Sequence, residues 1–164
     1  MSSAYFAGGC FWCVTPVFRS AGAKKVTCGF SGGTEADPTY KEVKSQLTGH
    51  RETVRVDYDP VAVPYGRLVD IFLESVDPFD GGGQFIDRGF SYTLAVYFSD
   101  DEEKRIAEAK ITALEKKSGR KTYISVEPFG SFWPAGEEHQ DYDLKNPEAF
   151  EKELRESGRK GRRG

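Results

Sequence analysis

The chain has only three cysteines and no apolar run long enough to span a bilayer. An odd cysteine count argues against a framework of structural disulfides. No signal-peptide pattern opens the chain, so the expectation is a cytoplasmic, membrane-free protein whose thiols stay reduced unless they are in use. Net charge is slight, −3 with a pI near 5.5, which leaves no electrostatic footprint for nucleic acid. No internal repeat is present, and no linker divides the chain. A zinc site is not expected, because Cys10 and Cys13 lack a second paired block and Cys28, His50 and His139 are scattered. What remains is 164 residues, 38% hydrophobic and 30% charged, enough for one domain with a sizeable core. Residues 1–157 are expected to form it. Residues 158–164 are basic and Gly-rich, a composition that predicts a disordered tail.

The stretch Gly8-Gly9-Cys10-Phe11-Trp12-Cys13 organises the rest. The apolar residues before it read as a short buried strand. Two glycines then allow a tight turn. Beyond them Phe11, Val14, Phe18 and Ala21 recur at helical spacing. Cys10 is therefore predicted in the first turn of a helix, where free N–H groups and the positive end of the helix dipole favour thiolate over thiol. A buried Cys is often no more than a small core residue. Two thiols at i and i+3 behind Gly-Gly point instead to redox or nucleophilic chemistry.

Lys24 to Phe30 reads as a second strand, and Asp37 or Thr39 caps a helical turn from Tyr40 to Val43. Glu52 to Tyr58 alternates as a half-buried strand with Val54, Val56 and Tyr58 on one face. Pro64 to Val76 is an amphipathic helix, followed by a long Gly-rich loop from Phe79 to Phe90. Tyr92 to Phe98 is a strand, Asp100 to about Lys117 a helix stopped by Gly119, and Tyr123 to Val126 a further strand. Glu127 to Tyr142 is irregular, and a last helix starts at Asn146-Pro147. This order predicts an α/β (α+β) two-layer sandwich, a mixed sheet with packed crossover helices.

Gly9-Cys10-Phe11-Trp12 behind a strand resembles the signature of the A-type peptide methionine sulfoxide reductases. So do Gly29-Phe30-Ser31-Gly32-Gly33, Asp37-Pro38-Thr39-Tyr40, Thr48-Gly49-His50-Arg51-Glu52, Asp77-Pro78, Asp87-Arg88-Gly89 with Tyr92, and Glu137-Glu138-His139-Gln140-Asp141-Tyr142, in the family's order. Cys13 and Gly82-Gly83-Gln84-Phe85 are similar to one branch of that family. The family reverses methionine sulfoxide formation. The resemblance implies a ferredoxin-like core with long loops. It implies a thiol-dependent reductase of the S epimer of methionine sulfoxide, free or in proteins, acting as a monomer. No bound cofactor is expected, and thioredoxin or another thiol is the external reductant.

The resemblance also implies roles. Cys10 is the nucleophile, and Phe11 and Trp12 form the methyl pocket, although both read equally well as core aromatics. Glu52 is the acid; on its own, a lone Glu at a strand start reads as a solvated carboxylate. Tyr40 and Tyr92 hydrogen-bond the sulfoxide oxygen. Asp87 sits beside the nucleophile, for positioning and for the substrate backbone. His139 borders the substrate, and with His50 supports the site. Cys13 is the first candidate for resolving an oxidised Cys10; Cys28 is the alternative, and an external thiol is the third possibility. No cysteine follows Cys28, so C-terminal recycling cysteines are absent. Thr15, Ser91 with Thr93, and Glu137-Glu138 depart from the family pattern behind the helix and at the pocket rim. Two other readings compete. Cys10-x-x-Cys13 at a helix start is also the thioredoxin-like signal of a thiol–disulfide oxidoreductase, though Phe11-Trp12 replaces the usual small residue and Pro. A catalytically dead methionine-recognition module would have lost Cys10 or Glu52, and both are present.

Overall fold

A computed structural model describes residues 1–159. Strand β1 (Ser2–Gly8) alternates, so that Ala4 and Phe6 face one side and Tyr5 and Ala7 the other. Helix α1 (Phe11–Ser20) follows at once and buries Phe11, Val14 and Phe18 against that first face. Each such side chain contributes about 1.5–3 kcal/mol on leaving water. Phe6 stacks on Phe18 at 5.1 Å and on Phe72 at 5.2 Å, which fastens the strand to two helices.

Strand β2 (Lys25–Ser31), the short helix α2 (Tyr40–Lys44), strand β3 (Arg51–Tyr58) and helix α3 (Tyr65–Ser75) come next. Val54, Val56 and Tyr58 are buried in the core, as their alternation predicts. A two-residue hairpin, β4 (Gly83–Gln84) with β5 (Asp87–Arg88), lies inside the long Gly-rich loop. Strand β6 (Leu94–Phe98) starts two residues later than the apolar run, because Phe90–Tyr92 form a 3-10 turn. Helix α4 (Asp101–Ser118) is capped by the Asp100 carboxylate and stopped by Gly119 at φ 71°. Strands β7 (Ile124–Pro128) and β8 (Trp133–Pro134) precede helices α5 (Tyr142–Lys145) and α6 (Pro147–Ser157).

The six-stranded sheet runs β7-β6-β1-β3-β2-β8. Only β6 and β7 pair in parallel, across α4. Within it, β1, β2, β3 and β6 occur in the spatial order β6-β1-β3-β2, two interlocked split β-α-β units. That is the ferredoxin-like core expected of the chain. Helices α1 and α3 cover one face. On the other, Ala7, Ala95 and Tyr97 are covered by Phe129 of the β7–β8 connection.

The C-terminal expectation needs correcting. Gly158 and Arg159, assigned by composition to a tail, are structured. Gly158 turns the chain at φ 82°, and Arg159 is 1% exposed with its guanidinium bonded to main-chain carbonyls. Residues 160–164 lie outside the described residues.

Candidate active site

The turn that carries Cys10 is built from β1, two glycines and the start of α1. Gly9 has φ +85°, and a Cβ there would lie 2.7 Å from both Gln84 and Arg159, so no other residue fits without displacing them. Cys10 is the N-cap of α1 and not part of its first turn. Its own carbonyl accepts the first helical bonds, from the N–H of Cys13 at 3.1 Å and of Val14 at 3.3 Å. The side chain stays beside the N–H groups of the helix start, but Cys13, burial and the carboxyls of Glu52 and Asp87 outweigh their pull and push the thiol up, against the expectation of a favoured thiolate.

One of those N–H groups is already held. The Phe11 N–H donates to Glu52 Oε1 at 3.1 Å. Glu52 reaches this point from β3, opposite Phe30 of β2, and only 2% of it is exposed. Burial pushes its carboxyl up to about 8, with Asp87 and Cys13 adding to the push and the Phe11 N–H opposing it. At neutral pH the group is a protonated acid, by roughly ten to one at pH 7.

Cys10 and Cys13 hydrogen-bond to one another. That bond pushes the Cys10 thiol up, and burial and the carboxyls of Glu52 and Asp87 push the same way. The bond draws Cys13 down against its burial, helped by the Arg159 guanidinium. A neutral Glu52 no longer opposes charge on Cys10. Cys28 lies elsewhere. Its sulfur points under α1, 3.2 Å from Thr15 Oγ1 and 3.7 Å from the Phe11 carbonyl, and burial pushes it up to about 12. The structure thus brings Cys13, and not Cys28, against Cys10.

Aromatic rings close one side of Cys10. Trp12 stacks on Tyr142 at 4.0 Å and 10°. Tyr40 stacks on His139 at 4.5 Å, and Phe11 lies 5.6 Å from His139 and 6.1 Å from Tyr40. Trp12 Nε1–H donates to His139 Nδ1 at 3.3 Å, which leaves the proton of a neutral imidazole on Nε2. Burial holds that imidazole below its usual range. Tyr40 opens α2, whose capping box with Thr39 and Glu42 fixes its position. Burial pushes both the Tyr40 and the Tyr92 phenol up, so both keep their protons.

The other side is charged. A cavity of about 180 Å³ is lined by Cys10, Cys13, Asp87 and the α6 carboxylates Glu153 and Glu156. Burial raises the Asp87 carboxyl, against Arg159 and Lys44. A larger cleft along β2, about 570 Å³, contains none of the predicted site residues.

His50 is structural support outside the aromatic box. Its Nδ1 accepts from the Gly33 N–H at 3.1 Å and its Nε2 meets the Glu35 carbonyl at 2.8 Å. The departures from the family pattern all have partners. Thr15 Oγ1 donates to the Phe11 carbonyl at 2.8 Å, Ser91 is clipped twice by Gln46, and Thr93 Oγ1 accepts from Arg51 Nε at 2.9 Å. The groups sequence reasoning missed are Tyr142 and Arg159. Tyr142 is held against Trp12 because Arg19 grips its neighbours Asp141 and Asp143, each at 2.8 Å. Its place between two acids in a matched block was a usable signal; for Arg159 there was none. Among the described residues no His, Cys, Asp and Glu cluster is arranged to hold a metal, and no helix is long and apolar enough to cross a membrane.

Comparison with known proteins agrees with this geometry. Residues 2–163 match the family model described as peptide methionine sulfoxide reductase. The chain is 43% identical to peptide methionine sulfoxide reductase MsrA of Bacillus licheniformis, over 96% of this chain and 89% of that protein. Among solved structures, methionine sulfoxide reductase A of Corynebacterium diphtheriae is similar with a TM-score of 0.79 at 30% identity, covering 88% of this chain and 74% of that one. Reduced Mxr1 of Saccharomyces cerevisiae gives a TM-score of 0.83 at 27% identity, covering 90% and 86%. Mxr1 solved in complex with Trx2 gives 0.58 at 19% identity, covering 86% and 84%, a likeness of fold.

Proposed function

Because this chain belongs to the A-type peptide methionine sulfoxide reductases, we propose that its thiol-dependent reduction of methionine (S)-sulfoxide uses Cys10 as nucleophile, Glu52 as acid and Cys13 as resolving thiol. The observation that carries this reading is the link from Glu52 to the helix start: a buried acid, protonated at neutral pH, bonded to the N–H next to the nucleophile. Sulfoxide oxygen leaves sulfur only when protonated, and Glu52 supplies that proton. Tyr40 and Tyr92 donate hydrogen bonds to the same oxygen without carrying charge. The S-methyl group lies among Phe11, Trp12 and Tyr142, where sulfur–ring contacts are worth about 0.3–1.5 kcal/mol each.

The step balances as a net oxygen transfer. Cys10 thiolate sulfur attacks the sulfoxide sulfur while the oxygen is protonated; the S–O bond breaks, the oxygen leaves as water, and a Cys10–methionine sulfonium S–S bond remains. Water then attacks the Cys10 sulfur, that S–S bond breaks with its electron pair passing to the methionine sulfur, and Cys10 is left as sulfenic acid. Methionine sulfur gains the two electrons that Cys10 loses. Cys13 then attacks the sulfenic sulfur, the S–O bond of Cys10 breaks, and water departs with a Cys10–Cys13 disulfide left behind. An external dithiol restores both thiols; thioredoxin fits that role, as the yeast relative Mxr1 has been solved with Trx2. Asp87 and His139 border the bound substrate. The three free cysteines suit a reducing cytoplasm, and all groups the reaction uses come from one chain, so a monomer suffices.

The test incubates the protein with dithiothreitol and the separated epimers of a methionine sulfoxide derivative. Turnover of the S epimer alone, lost in Cys10→Ser and strongly reduced in Glu52→Gln, is the expected result. Insulin reduction without sulfoxide turnover, or near-native activity of Glu52→Gln, would contradict it.

A further inference from the structure

We propose that Arg51, on the opposite face of β3 from Glu52, is a positioning residue that fixes the turn carrying Tyr92 and so aims the Tyr92 hydroxyl at the sulfoxide oxygen. The inference rests on the reading of Tyr92 as a donor to that oxygen. Arg51 and Glu52 are neighbours on one strand, so their side chains leave opposite faces of the sheet. Glu52 reaches the Phe11 N–H at the start of α1. Arg51 is 7% exposed and meets Tyr97, whose side chain lies with Ala7 and Ala95 on the other face.

Tyr92 ends the three-residue 3-10 turn Phe90–Tyr92. Such turns have poor hydrogen-bond geometry and hold their shape weakly on their own. This one has the Tyr92 N–H on the Gly89 carbonyl at 3.1 Å and the Thr93 N–H on the Phe90 carbonyl at 3.0 Å. Arg51 anchors both ends of it. Its guanidinium carbon lies 4.6 Å from the centre of the Phe90 ring, and Nε–H donates to Thr93 Oγ1 at 2.9 Å. Thr93 Oγ1 in turn donates to the Phe90 carbonyl at 2.6 Å. Gln46 takes the middle: its Oε1 accepts from the Ser91 N–H at 2.8 Å, and its Nε2 donates to Ser91 Oγ at 2.9 Å. Ser91 and Thr93, the two residues that flank Tyr92, both depart from the family pattern, and each is held by a side chain from outside the turn.

The far end of Arg51 is fixed in turn. Nη1 donates to the Tyr97 hydroxyl at 3.0 Å and to Glu127 Oε2 at 2.8 Å. The Tyr97 hydroxyl donates to the Ser31 carbonyl at 3.3 Å, and Ser125 Oγ donates to the same Glu127 oxygen at 2.7 Å. One planar side chain therefore ties the turn to β6, β7 and the end of β2. The Tyr92 phenol is the part of the turn that enters the site. The residue is 7% exposed, within electrostatic reach of Glu52, Tyr40, Asp87 and Cys10. A hydrogen bond weakens steeply as its angle departs from linear, so a turn that drifts takes the donor off the oxygen. Arg51 itself touches no reacting atom.

Two phenols serve one oxygen, so the test uses Tyr40→Phe as its background, where Tyr92 is the remaining phenol. Reduction of methionine (S)-sulfoxide with dithiothreitol is measured for that variant alone, with Arg51→Met, with Tyr92→Phe, and with both. Arg51→Met should lower kcat/KM about two- to tenfold, the worth of one hydrogen bond. With Tyr92→Phe already present it should lower it no further, because the group it aims is gone. The alkaline limb of the pH profile, near 8, should stay in place, since Arg51 faces away from Glu52. An equal loss with and without Tyr92→Phe, or a displaced alkaline limb, overturns the proposal. Should Arg51→Met not fold, Thr93→Val carries the test, since it removes the bond from Arg51 and keeps the side chain's shape; the same dependence on Tyr92 is expected. If Tyr92→Phe costs nothing in the Tyr40→Phe background, the reading of Tyr92 itself fails and takes the proposal with it, a different result.

Discussion

The two sides of Cys10 differ in kind. One is a box of rings, Phe11, Trp12, Tyr40, His139 and Tyr142, in which the polar groups are neutral: phenols that keep their protons and an imidazole held below its usual range. The other holds a second thiol, the carboxyls of Asp87 and Glu153, and the Arg159 guanidinium. A neutral apolar slot suits a sulfoxide, whose reduction needs one proton and no counter-ion. A charged surrounding suits a thiol that must ionise on demand. On the proposed mechanism one cysteine serves two reactions because its neighbours divide them, with Glu52 as the proton source for the first.

Cys10→Ser breaks both sides at once. It should abolish sulfoxide reduction, since a hydroxyl near neutral pH is a far weaker nucleophile than a thiolate. Measured turnover with dithiothreitol checks this.

Glu52→Gln removes the proton that the sulfoxide oxygen takes up. The rate should fall by about two orders of magnitude or more. In the native chain, activity should fall as pH rises through about 8, where Glu52 loses its proton. Stability responds in the same direction, over a window that begins at lower pH. The folded pKa lies above the ordinary value of 4.5, so the contribution of neutral, buried Glu52 is complete below about 4.5 and erodes as pH rises towards 8. Glu52→Gln escapes that erosion. Its melting temperature should exceed the native one by a margin that widens between pH 5 and 8; a constant margin would mean that Glu52 is ionised in the folded state.

Cys13→Ser addresses the charged side alone. Turnover with thioredoxin should fall roughly tenfold or more, while turnover with dithiothreitol, which reaches the sulfenate directly, stays close to native. Trp12→Phe addresses the aromatic side. Losing the stack on Tyr142 should cost about 0.5–1.5 kcal/mol, read as a rise in KM of roughly two- to tenfold. Its kcat should change little, and the disulfide step should not move. A variant of either side that alters the other side's signal would merge what this account separates.

Much of this was legible in the sequence because its signals are local. Alternation placed Val54, Val56 and Tyr58 in the core, and helical spacing placed Phe11, Val14 and Phe18 there. The succession of elements was enough for an α/β sandwich, and matched blocks named Cys10, Glu52, Tyr40, Tyr92 and His139 before their meeting was visible. What was not legible depends on distant pairing. The two-residue strands β4, β5 and β8 are too short to carry a period, and exist through their partners. Cys28 points under α1 because of its register with Val54, which no single strand reveals. Arg159 misled most. Gly and Arg in succession look like a solvated end, and only the φ 82° turn at Gly158 and the carbonyls of Gly8 and Ser75 make a buried brace of it.

The central claim is the division of labour between Cys10 and Cys13, and one measurement meets it directly. The native protein is given a single turnover of methionine (S)-sulfoxide without reductant, then unfolded in acid and mapped by peptide mass. The account predicts one methionine released and a Cys10–Cys13 linkage, with a sulfenate on Cys10 trapped by dimedone in Cys13→Ser. A Cys10–Cys28 linkage, or a sulfenate that persists while Cys13 remains a free thiol, would contradict it.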